Sequence, residues 1–138
     1  MQIVSTVVSR PLDECWRVFT DPAALIAWIP GLRASLVIET RDDGLPQEIQ
    51  FEFGKELIYS LLYTYDVAAR IVRWEPRPGE HGAVRGFARF EKEGDGEATR
   101  VTYALEHEAG RKALDRAIDD PKLLVEAFAR WMHEGPVA

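Results

Sequence analysis

At 138 residues, with 46% apolar and 29% charged side chains, the chain has the size and make-up of one ordinary globular domain, long enough to bury one core and too short for two. Its 17 basic and 23 acidic residues leave a net charge of −6, and the basic residues are scattered. Nucleic-acid binding is disfavoured on that ground, because it depends on clustered Lys and Arg, and no apolar run approaches the ~18 residues that cross a bilayer, so no membrane insertion is expected.

Residues 2–8, QIVSTVV, alternate and are β-branched, which reads as a first strand and not as a signal peptide, so a cytoplasmic location is expected. The next segment, SRPLDECWRVFTD, has a helix start: Ser9 or Arg10 at the cap, Pro11 early, Asp13 and Glu14 in the first turn. Leu12, Cys15, Trp16 and Phe19 recur at helical spacing and form one buried face. Cys15 is the sole cysteine, so no internal disulfide exists, and it reads as a small buried hydrophobe. A second short helix follows in DPAALIAWIPGLR: Asp21 caps it, Pro22 takes the first helical position, and Pro30-Gly31 ends it. Its Ala24, Leu25, Trp28 and Ile29 need an apolar partner.

From residue 32 to 107 the pattern becomes strand-like and is cut about every ten residues by Gly, Pro and Asp clusters, as in a meander of hairpins. Strands are expected near 33–41, 47–53, 57–65, 70–76, 82–92 and 98–107, with RDDGLP, FGKE, DVAA, PRPGEH and EGDGE as links. Links this short make neighbouring strands antiparallel. The chain then turns helical in GRKALDRAI and KLLVEAFARWMHEG. Leu124, Phe128, Trp131 and Met132 share one face of the latter. Asp119-Asp120-Pro121 lies between, leaving either two segments or one helix kinked at Pro121.

The order strand, two short helices, six antiparallel strands and a terminal helix is α+β, with one sheet face left for the helices to cover. With its opening strand, SRPLDECWRVFTDPAALIAWIPGLR, hairpin run and closing KLLVEAFARWMHEG, the chain resembles the START-like superfamily. That group is also described as Bet-v-1-like, or as the polyketide cyclase/dehydrase and lipid-transport (SRPBCC) group. The resemblance implies a helix-grip fold: a curved seven-stranded antiparallel sheet wrapped round a long C-terminal helix, with a deep cavity between them for a hydrophobic or amphipathic molecule. Members include lipid carriers, plant hormone receptors, aromatic polyketide cyclases, quinone binders and activators of a heat-shock chaperone, so the fold narrows function only loosely.

In LIYSLLYTY, alternation places Leu57, Tyr59, Leu61, Tyr63 and Tyr65 on one face. The tyrosines either line a pocket or form an aromatic ladder with hydroxyls in solvent. Ile49, Phe51 and Phe53 share a face and are expected inside. Of Val72/Trp74 against Arg73/Glu75 only one pair faces in, and the apolar pair is the expected one. In GAVRGFARF the choice lies between Val84, Gly86, Ala88 and Phe90, and Arg85, Phe87 and Arg89. Gly86 and Ala88 would leave open volume or mark a bend, while an inward Arg89 or Arg73 would need an anion.

His81, His107 and His133 lack zinc-site spacing, and no phosphate loop, nucleophile elbow or His-Glu-x-x-His pair occurs, so no metal and no cofactor are expected. The expected ligand-binding residues are Trp28, Phe51, Phe53, Tyr59, Tyr63, Trp74, Arg89, Tyr103, Phe128 and Trp131, and no catalytic residue is assigned. Three readings follow: binding of a lipid-, quinone- or polyketide-like molecule; a cyclase/dehydratase-type enzyme using one of Tyr59, Tyr63, Arg73, Arg89 or His107 beside a base; and a protein-interaction module on the same scaffold.

Overall fold

The computed structural model describes residues 2–53, 57–79, 85–106 and 120–135. In chain order these contain β1 (Gln2–Val8), α1 (Leu12–Phe19), α2 (Pro22–Trp28), β2 (Ala34–Thr40), β3 (Pro46–Phe53), β4 (Leu57–Asp66), β5 (Ile71–Pro76), β6 (Arg85–Glu93), β7 (Ala98–Glu106) and α3 (Pro121–Glu134). All strands join one antiparallel sheet in the order β1-β7-β6-β5-β4-β3-β2, so β2 to β7 form a meander and β1 pairs with the last strand. This is the expected α+β helix-grip architecture. The clearest turn expected, EGDGE, joins β6 to β7 with Gly94 and Gly96 at φ 62° and 94°, a left-handed backbone that glycine adopts without a Cβ clash. The links FGKE and PRPGEH fall partly outside the described residues.

Local chemistry sets the helix limits. Pro11, in an extended conformation, precedes α1, which therefore begins after the Ser9 or Arg10 cap expected. Asp13 and Glu14 in its first turn and Arg17 in its last complement the helix dipole. In α2 the Asp21 carboxylate accepts from the Ala23 N–H at 2.9 Å, and Ile29 at the C-terminal end donates its N–H to the Leu25 carbonyl. Asp120 repeats the device at α3, accepting from Lys122 N–H at 2.9 Å. Pro121 is thus a first-turn residue, where its missing N–H costs nothing, and it starts α3 without kinking it. GRKALDRAI lies outside the described residues.

The strand alternation settles both open choices of face. Val72 and Trp74 on β5, and Ala88 and Phe90 on β6, are buried beneath the helices, while Arg73, Glu75, Arg85 and Arg89 are exposed on the outer side. Helix α1 packs on β6 and β7, α3 on β1 and β7, and α2 reaches β2 and α3. The helices therefore cover one face of the sheet, and the core lies between. Phe19 is its hub, with ring centroids 5.1 Å from Phe90, 5.5 Å from Trp28 and 5.5 Å from Phe128. Each large apolar side chain so buried contributes roughly 1.5–3 kcal/mol before chain entropy is counted.

One polar clamp ties the β4–β5 turn to α1. Arg70 donates to Asp13 Oδ1 at 2.8 Å and to the Val67 carbonyl at 2.6 Å, and its guanidinium carbon lies 5.5 Å from the Trp16 ring centroid. Its backbone has φ 57°, an unfavourable value for a side-chain-bearing residue.

Candidate functional site

A cavity of about 50 Å³ lies between the inner sheet face and the helices. Period-two alternation builds one wall: Ile49, Phe51 and Phe53 from β3, and Tyr59, Leu61, Tyr63 and Tyr65 from β4. Val72 and Trp74 of β5 and Tyr103 and Leu105 of β7 continue it. The helical side consists of Phe19 and Thr20 at the end of α1, Leu25, Trp28 and Ile29 from α2, and Leu124 from α3. Pro46 completes the lining.

Aromatic contacts fix these walls. Tyr59 stacks on Phe53 with centroids 5.9 Å apart, and Tyr63 stacks on Tyr65 at 6.2 Å. Trp74 stands between two phenols, 6.2 Å from Tyr63 and 5.2 Å from Tyr103. The tyrosines thus belong to the wall, not to a solvent-facing ladder.

The polar groups are few. Tyr65 donates its hydroxyl to the Pro46 carbonyl at 2.5 Å, and Thr20 donates to the Trp16 carbonyl at 2.8 Å. Neither the Tyr63 nor the Tyr103 hydroxyl makes a hydrogen bond with a described residue. Burial pushes the Tyr63 phenol well above its ordinary range and raises those of Tyr103 and Tyr65 as well; Arg41 partly opposes the rise at Tyr65. All three are therefore neutral at ordinary pH and act as hydrogen-bonding groups, not as bases. The indole N–H of Trp28 is buried with no partner among the described residues.

Of the expected binding residues, Trp28, Phe51, Phe53, Tyr59, Tyr63, Trp74 and Tyr103 lie on the cavity wall. Trp28 both plugs and borders: it is 5% exposed and packs 5.2 Å from Phe128, yet it also lines the space. Three expectations need correction. Arg89 does not reach the cavity; it falls on the outer phase of β6, where Nε donates to Glu91 at 3.1 Å. Phe128 is buried one layer back, against Phe19, Trp28 and Phe90, because α3 presents Leu124 to the cavity instead. Trp131, a half-buried residue one turn further on, packs on the flank of the core.

Arg73 is also on the outer face, and His81 and His107 lie outside the described residues. His133 is exposed and accepts the Ser9 backbone N–H at 2.9 Å. Among the described residues no charged side chain lines the cavity, and no three His, Cys, Asp or Glu side chains gather as metal ligands. No helix among them is long and apolar enough to cross a membrane.

Sequence reasoning did not assign Phe19, Leu61, Tyr65 and Leu105 to the site. Each carried a signal: Phe19 closed the apolar face of α1, Leu61 and Tyr65 shared the phase of Tyr59 and Tyr63, and Leu105 shared that of Tyr103.

No family model matches this sequence, and no curated protein matches it significantly. Solved structures do match. A START superfamily protein from Mycobacterium smegmatis superposes with TM-score 0.76 over 96% of this chain and 97% of its own, at 13% identity. This chain has the START-superfamily fold. Zhui aromatase/cyclase from a Streptomyces species matches with TM-score 0.68 over 99% of this chain and 98% of its own, at 16% identity. The di-domain aromatase/cyclase StfQ of the steffimycin biosynthetic pathway matches with TM-score 0.70 over 97% of this chain and 46% of its own, at 15% identity. At such identities the likeness is one of fold.

Proposed function

We propose that the chain is a single START-like domain that binds a hydrophobic or amphipathic small molecule between sheet and helices, without catalysing a reaction on it. The observation that carries this reading is the cavity wall, apolar and aromatic with a few neutral hydroxyls, the lining expected of a small-molecule site. Apolar burial at about 25 cal/mol per Å² supplies the affinity, and the hydroxyls supply orientation. A cavity of about 50 Å³ is smaller than the ~150 Å³ that takes up benzene, so a ligand must part the walls as it enters.

The cyclase/dehydratase reading draws support from the fold shared with the two aromatase/cyclases. It needs a proton acceptor beside the reacting carbon. The described wall offers only phenols held neutral by burial, and Arg73 and Arg89 lie outside it. Binding is therefore preferred over turnover.

The test is a titration with the neutral fluorophore N-phenyl-1-naphthylamine, followed by backbone chemical shifts. Saturable one-to-one binding that moves resonances of Leu61, Tyr63 and Leu105 is expected. Non-saturable binding, or shifts confined to the outer face of the sheet, overturns the reading.

A further inference from the structure

We propose that the cavity selects an uncharged ligand bearing a carbonyl oxygen, which the hydroxyls of Tyr63 and Tyr103 hold as a pair of donors on either side of Trp74. The proposal rests on the reading of this cavity as the ligand site and names the ligand's chemistry.

Three observations converge. Both phenols contact Trp74, and neither hydroxyl bonds a described residue, although Tyr103 is only 7% exposed. An acceptor arriving in the cavity gives each hydroxyl the hydrogen-bond partner that the described residues do not supply. Trp28, on the helical side of the same space, has a buried indole N–H that is also without an acceptor. A phenol can donate or accept but an indole can only donate, so the wall's unmet demand is for acceptors.

Charge decides which acceptor. A carboxylate would satisfy the same donors, but it would be stripped of water with no cationic side chain among the described lining residues to offset the loss. Arg73, which sits between the lining residues Val72 and Trp74 in sequence, stands on the other face of the sheet, and Arg41, whose guanidinium carbon lies 5.1 Å from the Tyr65 ring centroid, is paired with Asp43 at 2.9 Å. A neutral carbonyl meets the donors without that desolvation. A flat ring attached to it would pack on the aromatic wall that includes the stacked pairs Phe53–Tyr59 and Tyr63–Tyr65 as the walls part.

Single-ring probes suit the narrow space: acetophenone, the near-isosteric isopropylbenzene, and benzoate at pH 7, each followed by chemical shifts of wall residues. In the Tyr63→Phe/Tyr103→Phe double variant the ratio of the acetophenone Kd to the isopropylbenzene Kd should rise at least about ten-fold, the sum of two hydrogen bonds of ordinary net strength. Tyr63→Phe and Tyr103→Phe singly should each produce part of that rise, which keeps the test valid if the double variant does not fold. Benzoate should bind the native protein at least about ten-fold more weakly than acetophenone. An unchanged ratio in all variants, or benzoate binding as tightly as acetophenone, overturns the proposal while isopropylbenzene binding leaves the cavity reading standing. Failure of both acetophenone and isopropylbenzene to shift any wall residue overturns the two together.

Discussion

Trp74 fills the space beside Gly86, its partner across the β5–β6 ladder: a Cβ at position 86 would lie 3.0 Å from Trp74 Cζ2 and 2.1 Å from the Ala104 carbonyl oxygen. The second distance involves backbone, which cannot swing aside as a side chain can. Gly86→Ala should therefore cost about 2–3 kcal/mol through forced displacement of β6 from β7. Urea unfolding measures it. A loss under about 0.5 kcal/mol would mean that the two strands separate freely at this point.

The same pair shows where sequence reasoning reached its limit. Period-two alternation was enough to group Leu57, Tyr59, Leu61, Tyr63 and Tyr65 on one face and to put Ile49, Phe51 and Phe53 inside, but whether the tyrosine face turned inward was settled only by its packing against Phe53 and Trp74. The Asp-Pro starts at residues 21 and 120 were legible because capping is local chemistry. Gly86 and Ala88 were not, since a small residue records that space is needed without recording what fills it. Trp74 and Leu105, from neighbouring strands, occupy the room at Gly86, and the cavity opens further along the sheet. Arg89 was lost to the same ambiguity: its phase on β6 is fixed by the burial of Ala88 and Phe90, visible only once β5 and β7 lie alongside.

Buried phenols imply an alkaline limit to stability. The folded-state values for Tyr63 and Tyr103 are raised above the ordinary 10.0 by burial, so the folded protein retains these protons where the unfolded chain releases them. Their contribution is complete below pH 10.0 and is lost as pH climbs towards the folded values. Phenolate absorbance should thus rise in one cooperative step together with loss of circular dichroism. Tyr63→Phe and Tyr103→Phe should each move that step to higher pH. Smooth ionisation near pH 10.0 with intact dichroism would contradict the burial of these rings.

The Arg70–Asp13 contact predicts an effect at the other end of the pH scale. The Arg70 hydrogen bond and charge hold the Asp13 carboxyl below its ordinary 3.8. A lowered folded value stabilises the protein above the unfolded one and ceases to do so as pH falls through the folded one. Native protein should exceed Asp13→Asn in stability at pH 6, and the gap should close as the pH is taken well below 3.8. A gap that stays constant across this window would show that the charge plays no part.

Arg70 itself allows backbone strain to be separated from side-chain contact. Arg70→Ala removes the guanidinium yet keeps a Cβ at φ 57°, whereas Arg70→Gly removes both. The glycine variant should be more stable than the alanine variant by about 1 kcal/mol, despite the greater flexibility of its unfolded chain. Equal stabilities would indicate that the turn relaxes to an ordinary φ once the Asp13 contact is gone.

Trp28 gives a corresponding separation of packing from polarity on the helical wall. Its ring lies 5.5 Å from Phe19 and 5.2 Å from Phe128, so Trp28→Ala should lose about 3–5 kcal/mol, the usual cost of deleting a buried aromatic side chain. Trp28→Phe keeps an aromatic face towards both neighbours and deletes the indole N–H that has no acceptor. Release of that unpaired donor, worth about 1–3 kcal/mol, offsets most of the lost ring area. The phenylalanine variant should therefore fall within about 1.5 kcal/mol of the native protein by urea unfolding. A loss as large as that of alanine would mean that the second ring of the indole is what holds α2 against the core, and that its N–H is not a burden in the unliganded protein.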